Sequence, residues 1–146
     1  MKIIINMVII FPKNGIAQNM VLEAKQNLLN KKAELLIGKD YFQNRIESYK
    51  KDSKNTDNQT PINVLQSAID DENALISKID TAILVIDKSG FVNEYSNNEE
   101  RKYNFKHNNN KVDIYKRVSD NKLIIKLNEN ILLEGDQINS NNNIVN

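Results

Sequence analysis

No cysteine occurs in this chain, which excludes a disulfide framework, a thiolate metal site and a cysteine nucleophile together. Such a composition fits a reducing compartment, so the expected location is cytoplasmic or within an assembled particle. Glycine appears four times, always isolated, and no glycine-rich loop is present to cradle a phosphate. Histidine appears once, as His107, in a run of asparagines and lysines. A general base needs a partner to orient it and a wall against water, so His107 reads as an exposed loop residue. Neither sign of charge is in excess: the net charge is +1, and no global field favours nucleic acid or an anionic membrane. Long apolar runs are missing as well. MKIIINMVIIF, residues 1–11, is about half of a bilayer span. It reads as a buried β-strand closed by Pro12 and the Asn14-Gly15 turn, with a weak secretion signal as the alternative.

What the chain has in abundance is asparagine (25) and isoleucine (20), with lysine far outnumbering arginine, a bias that an AT-rich genome produces. At 146 residues it suits one core-bearing domain with a helical appendage. From Ile16 to Ile37 the pattern is helical, with Val21, Leu28, Leu35 and Phe42 recurring every seven residues and Leu22, Leu29 and Leu36 beside them. Gly38 reads as a C-terminal cap and Asp40 with Gln43 as a new capping box. Two helices, 16–37 and 41–51, are therefore expected, with one long helix as the alternative. KKDSKNTDNQT at 50–60 is wholly polar and reads as a linker. Its Asn58-Gln59-Thr60 matches the N-glycosylation pattern by coincidence.

Thr60-Pro61 supplies a capping hydroxyl and a proline for the next helix start. Ile62, Leu65, Ile69, Glu72, Ile76, Ile79 and Ile83 then follow at alternating three and four, an apolar seam broken once by Glu72. This seam is the candidate interface. It either packs on a sheet of its own domain or pairs with a second copy. Asp70 and Asp71 read as a solvated face, whereas Glu72 on the seam would want a lysine partner. At Ala82 the character changes to a β-branched run, Ile83–Ile86, then the turn Asp87-Lys88-Ser89-Gly90 and a returning strand, Phe91–Tyr95. Residues 97–111 are polar, with one short helical turn expected around Glu99–Tyr103. Three alternating stretches, around Val112–Val118, Leu123–Leu127 and Ile131–Leu133, are separated by turn residues and read as a three-stranded meander.

Residues 74–97, ALISKIDTAILVIDKSGFVNEYSN, resemble the opening of a PAS domain and of the related roadblock and longin-type modules with their profilin-like sheet. Ile83, Val85, Asp87, Gly90 and Val92 carry the resemblance, with Ser96-Asn97 where a PAS domain often has asparagine. It implies a hairpin at 82–95, a sheet completed by the meander, and a regulatory or sensory role. The segment VDIYKRVSDNKLIIKLNENILLEGDQI also resembles the short repeating strands of phage tail-spike and secretion-spike proteins, which implies a spike or baseplate component.

Charge is distributed unevenly. Residues 60–100 carry eight acids against two lysines, and residues 101–126 carry eight bases against two acids. Lys106, Lys111, Lys116, Arg117, Lys122 and Lys126, with Tyr103, Phe105 and Tyr115 among them, form a candidate nucleic-acid patch. Pairing of acidic and basic segments within the fold or between subunits is favoured over it.

The expected fold class is α+β: an N-terminal strand and helices, then a helix packed on an antiparallel sheet built from a hairpin at 82–95 and a meander at 112–134. The expected divisions are 1–52, a linker at 53–60, an α+β domain at 61–135 and a frayed tail at 136–146. No residue is assigned to catalysis, a cofactor or a metal, and no cofactor is expected. The expected function is a non-enzymatic protein-interaction or assembly module whose partner is another protein or a second copy of itself.

Overall fold

The computed structural model describes residues 15–52, 58–89, 93–96 and 101–135. The strand expected at 1–11, most of the linker and the tail lie outside them. The architecture is α+β, with helices α1 (Gly15–Lys51) and α2 (Gln59–Lys88) followed by strands β1 (Asn93–Ser96), β2 (Arg101–His107), β3 (Asn110–Lys116), β4 (Leu123–Leu127) and β5 (Asn130–Gly135). The strands form one antiparallel meander in the order β1-β2-β3-β4-β5. By compactness the chain divides into Met1–Leu28 with Asp80–Asn146, and Leu29–Ile79. The expected boundaries at 53 and 60 fall inside the second of these units.

In the first unit, the period-two alternation of the strands sorts the sheet into two faces. Tyr103, Ile114, Ile125 and Leu133 stand in one row across β2 to β5, and Phe105, Val112 and Leu127 in the next. All but Leu133 are buried. The helices cover this face with Val21, Ala24 and Leu28 of α1 and with Ala82, Val85 and Ile86 of α2, all buried. Those residues recur at three, four and seven, the period of one helix face. Burying a side chain such as Leu28 or Phe105 stabilises the fold by roughly 1.5–3 kcal/mol. At the rim, Lys25 Nζ reaches Asp87 Oδ1 at 2.6 Å and Lys116 Nζ lies 3.9 Å from Glu23.

Asparagine makes the turns. Asn108 and Asn109 between β2 and β3 have φ of 48° and 69°, and Asn128 and Glu129 between β4 and β5 have 51° and 73°. Positive φ at both central residues is the pattern of the two-residue turn whose twist matches antiparallel strands. Asparagine tolerates this region because its short side chain can bond locally. Asn121 does the same in the β3–β4 loop, at φ 59°. A biased composition is thus put to use where glycine would otherwise stand.

The second unit, Leu29–Ile79, is a pair of helical segments with Leu35, Ile46, Ile69 and Ile79 buried. Asn58 joins them. Its Nδ2 donates to the carbonyls of Tyr49 (2.7 Å) and Asp52 (2.9 Å) at the end of α1. Its own carbonyl accepts from Ile62 N–H at 3.2 Å and so opens α2. One residue thereby satisfies orphan carbonyls of one helix and starts the next. Helix α2 begins at Gln59, a residue before the expected capping hydroxyl. Pro61 is tolerated because the first turn has no use for its missing N–H.

Three local expectations are corrected. Gly38 does not end a helix: α1 is continuous, and the Glu72 carboxylate lies against Gly38, where a Cβ would come within 2.8 Å of Oε2. Burial of Leu35 and Ile46 on either side outweighs the cost of about 1 kcal/mol for an interior glycine. Residues 83–86 are not a strand but the last turns of α2, so the hairpin expected at 82–95 is absent and β1 starts at Asn93. The seam continues through Ile79, Ala82 and Ile86, and packing on the sheet overrides β-branched propensity. The turn expected around 99–103 is occupied from Arg101 by β2, whose alternating Tyr103 and Phe105 point into the core.

Substituting Asn58→Ala should destabilise the protein by about 1–2 kcal/mol, since it removes both donations to α1. Chemical denaturation is the measurement. An unchanged midpoint would show that the α1–α2 junction is held by something else.

Candidate interaction surfaces

The seam residues are largely consumed by the fold. Ile69 and Ile79 are buried, and Ile62, Leu65, Glu72 and Ile76 are half-buried. Glu72, for which a lysine partner was expected, meets Gly38, and its Oε1 has no hydrogen-bond partner among the described residues.

A different apolar surface is exposed. On α1, Leu29 is 45% exposed, Leu36 43%, Ile37 72% and Tyr41 58%. At 100° per residue Leu29 and Leu36 flank the buried face of Leu28, Leu35 and Ile46, about 100° from it, and Ile37 and Tyr41 stand roughly opposite it. The series begins at Leu22, also exposed, and repeats every seven residues. Helix α1 is therefore apolar on two sides, one spent on the core and one facing outward. The two leucine series are adjacent in sequence, and burial separates them.

The basic residues scatter. Lys116 stands at the α1 rim beside Glu23. Arg117 is doubly paired, to Asp120 at 2.6 Å and Glu134 at 3.0 Å. Lys122 is exposed in the β3–β4 loop. Lys106, Lys111 and Lys126 do come together, on the sheet face opposite the helices, with Lys102, which was not among the candidates. There Lys102 and Lys126 lie 5.0 and 5.7 Å from the Tyr115 ring centre. Lys111 contacts the Glu129 carboxylate and lies 3.7 Å from Asp113. Asp113 is 3% exposed and accepts from Asn104 Nδ2. The spacing that gathers these groups is visible in sequence only once the register Lys102↔Tyr115 and Asp113↔Lys126 is known.

His107 stands at the tip of the β2–β3 hairpin, where residues Lys106 to Lys111 line an open hollow of about 400 Å³. Its Nε2 accepts from Asn108 Nδ2 at 3.2 Å, and no carboxylate among the described residues orients it. Among the described residues no group of three His, Asp or Glu is placed to hold a metal ion, and no helix is long and apolar enough to cross a membrane. The Nδ2 of Asn58, the atom a glycan would need, is committed to two carbonyls.

Comparison with protein-family models, with curated proteins and with solved structures finds no match.

The ion pairs set the expected response to acid. The Arg117 hydrogen bond holds Asp120 down from 3.8 to about 2, and the Lys111 hydrogen bond holds Glu129 below its usual range. A depressed carboxyl contributes stability above its unfolded value and loses it as pH falls through its folded value. Glu23 is the reverse: burial raises it, more than Lys116 lowers it, so its ionised form opposes folding above its unfolded value. Stability should therefore fall as pH drops from about 4 toward 2, and Asp120→Asn should flatten that decline. Glu23→Gln should raise the melting temperature at neutral pH, with the difference vanishing below about pH 4. Thermal melts followed by circular dichroism check both, and a Glu23→Gln difference that persists at pH 3 would contradict the assignment.

Proposed function

We propose that this protein is a non-enzymatic assembly module that pairs with a second copy of itself through the outward stripe of α1. The observation that carries this reading is the exposure of Leu29, Leu36, Ile37 and Tyr41 beside and behind the buried face of the same helix. A contiguous row of large apolar side chains facing water marks an interaction surface. The seven-residue leucine spacing selects the occupant. In a symmetric pair each leucine meets the same residue of an identical helix, so a second copy presents the matching row. Lys32 and Lys39 lie along one edge of the stripe and Glu34 along the other. When a twofold axis runs along the helices, each lysine edge faces the acidic edge of the partner. A parallel arrangement is thereby favoured over an antiparallel one. The row covers about three heptads, the shortest length at which such a seam holds, so the association is concentration-dependent.

Light scattering on the eluting protein should show a dimer that dissociates on dilution. Leu29→Lys with Leu36→Lys should weaken it by about a hundredfold or more, since each leucine loses roughly 1.5–3 kcal/mol of burial. Helix content should be unchanged, because neither residue belongs to the buried face. A wild-type chain that is monomeric at every concentration removes this reading, and a double variant that still dimerises moves the interface elsewhere.

A further inference from the structure

A second surface of the fold, separate from the α1 stripe, carries unspent binding capacity. On the sheet face away from the helices, three lysines from three strands converge: Lys102 of β2, Lys111 of β3 and Lys126 of β4. Lys102 and Lys126 hold their ammonium groups against one ring, that of Tyr115. Like charges gathered on one sheet face repel and cost stability unless something negative joins them. Asp113 stands on the same face, 3.7 Å from Lys111, but is 3% exposed and accepts from Asn104 Nδ2. The exposed carboxylate that joins them is Glu129. Its carboxylate contacts Lys111, and the charges of Lys126 and Lys102 act on it as well.

Glu129 is an unusual residue for this position. It sits at φ 73° in the β4–β5 turn, a conformation that its side chain does not favour. Its side chain is 69% exposed, so it can swing into water without uncovering anything apolar. We propose that Lys102, Lys111 and Lys126 around Tyr115 form an oxyanion site for a small phosphate-bearing molecule, with the Glu129 carboxylate standing where the phosphate would sit. A ligand carboxylate would gain no more than Glu129 already provides. A phosphate brings nearly two charges and three acceptor oxygens to three ammonium groups, and so outcompetes it. The tyrosine ring supplies a flat apolar wall beside the charged head, against which the rest of the molecule can lie. Glu129 then acts as a built-in competitor that sets how much phosphate is needed.

The test is a titration of the full chain with inorganic phosphate at low ionic strength, followed by nuclear magnetic resonance. In the wild type, phosphate should shift the signals of Lys102, Lys111, Tyr115 and Lys126. Glu129→Gln should tighten binding about fivefold, the effect of removing a competitor that leaves the site open in about one molecule in six. Adding Lys126→Gln or Lys102→Gln to that variant should abolish the gain, with melting temperatures confirming that each protein is folded. Equal affinity in wild type and Glu129→Gln, or shifts that map elsewhere, would overturn the proposal. An oligothymidylate arm separates a single phosphate from a polyanion. Tight binding with a log–log salt slope steeper than about −2, more than three lysines can produce on a single strand, would also overturn it.

Discussion

Everything in the first unit depends on covering one face of a twisted antiparallel sheet. Tyr103, Phe105, Val112, Ile114, Leu123, Ile125 and Leu127 present a continuous apolar surface. Left in water, that surface would forfeit on the order of 10 kcal/mol or more of transfer free energy. Two helical segments cover it: Val21, Ala24 and Leu28 from α1, Ala82, Val85 and Ile86 from α2. Alanine at 24 and 82, both fully buried, permits close approach to the strands. The same demand explains why Ile83–Ile86 coils instead of extending. As a strand it would have aimed alternate residues away from the sheet, whereas as a helix it places Val85 and Ile86 together against it.

Much of this was legible in the sequence. The meander showed itself through alternation and turn chemistry, and the α2 seam through its three-four spacing, because both depend on period alone. The failures share a physical cause, namely tertiary packing deciding between two local options. Gly38 signals a helix end in isolation, but Leu35 and Ile46 are buried on both sides of it and Glu72 fills the space above it. Ile83–Ile86 has strand propensity, but the seam runs on through it. In β2 only Tyr103 and Phe105 are apolar, too few to stand out among asparagines and lysines. The outward leucines could not be told from the inward ones, since two adjacent heptad series differ only in which one finds a partner.

The polar residues show the same division of labour. The acidic stretch and the basic stretch do not simply face each other. Among the described residues, the partners of Lys116, Arg117 and Lys111 come from Glu23, Asp120, Glu134, Asp113 and Glu129. Lys25, from outside the basic stretch, reaches into the acidic one at Asp87. Exposed pairs of this kind are each worth at most about 1 kcal/mol, so they tune register and pH response more than they hold the fold. What they leave over is informative: an apolar row on α1 with no cover among the described residues, and a lysine cluster satisfied by a displaceable carboxylate.

The absence of cysteine makes the most direct test of pairing through α1 a clean one. A single cysteine placed at Leu36, on the leucine row of the outward stripe, would lie close to its own copy in a parallel symmetric pair. A cysteine at Val64, which is 64% exposed but on α2, would not. Under mild oxidation, Leu36→Cys should convert rapidly into a disulfide-linked dimer while Val64→Cys stays mostly monomeric. Equal rates for the two, or no dimer from Leu36→Cys, would contradict self-assembly through this helix.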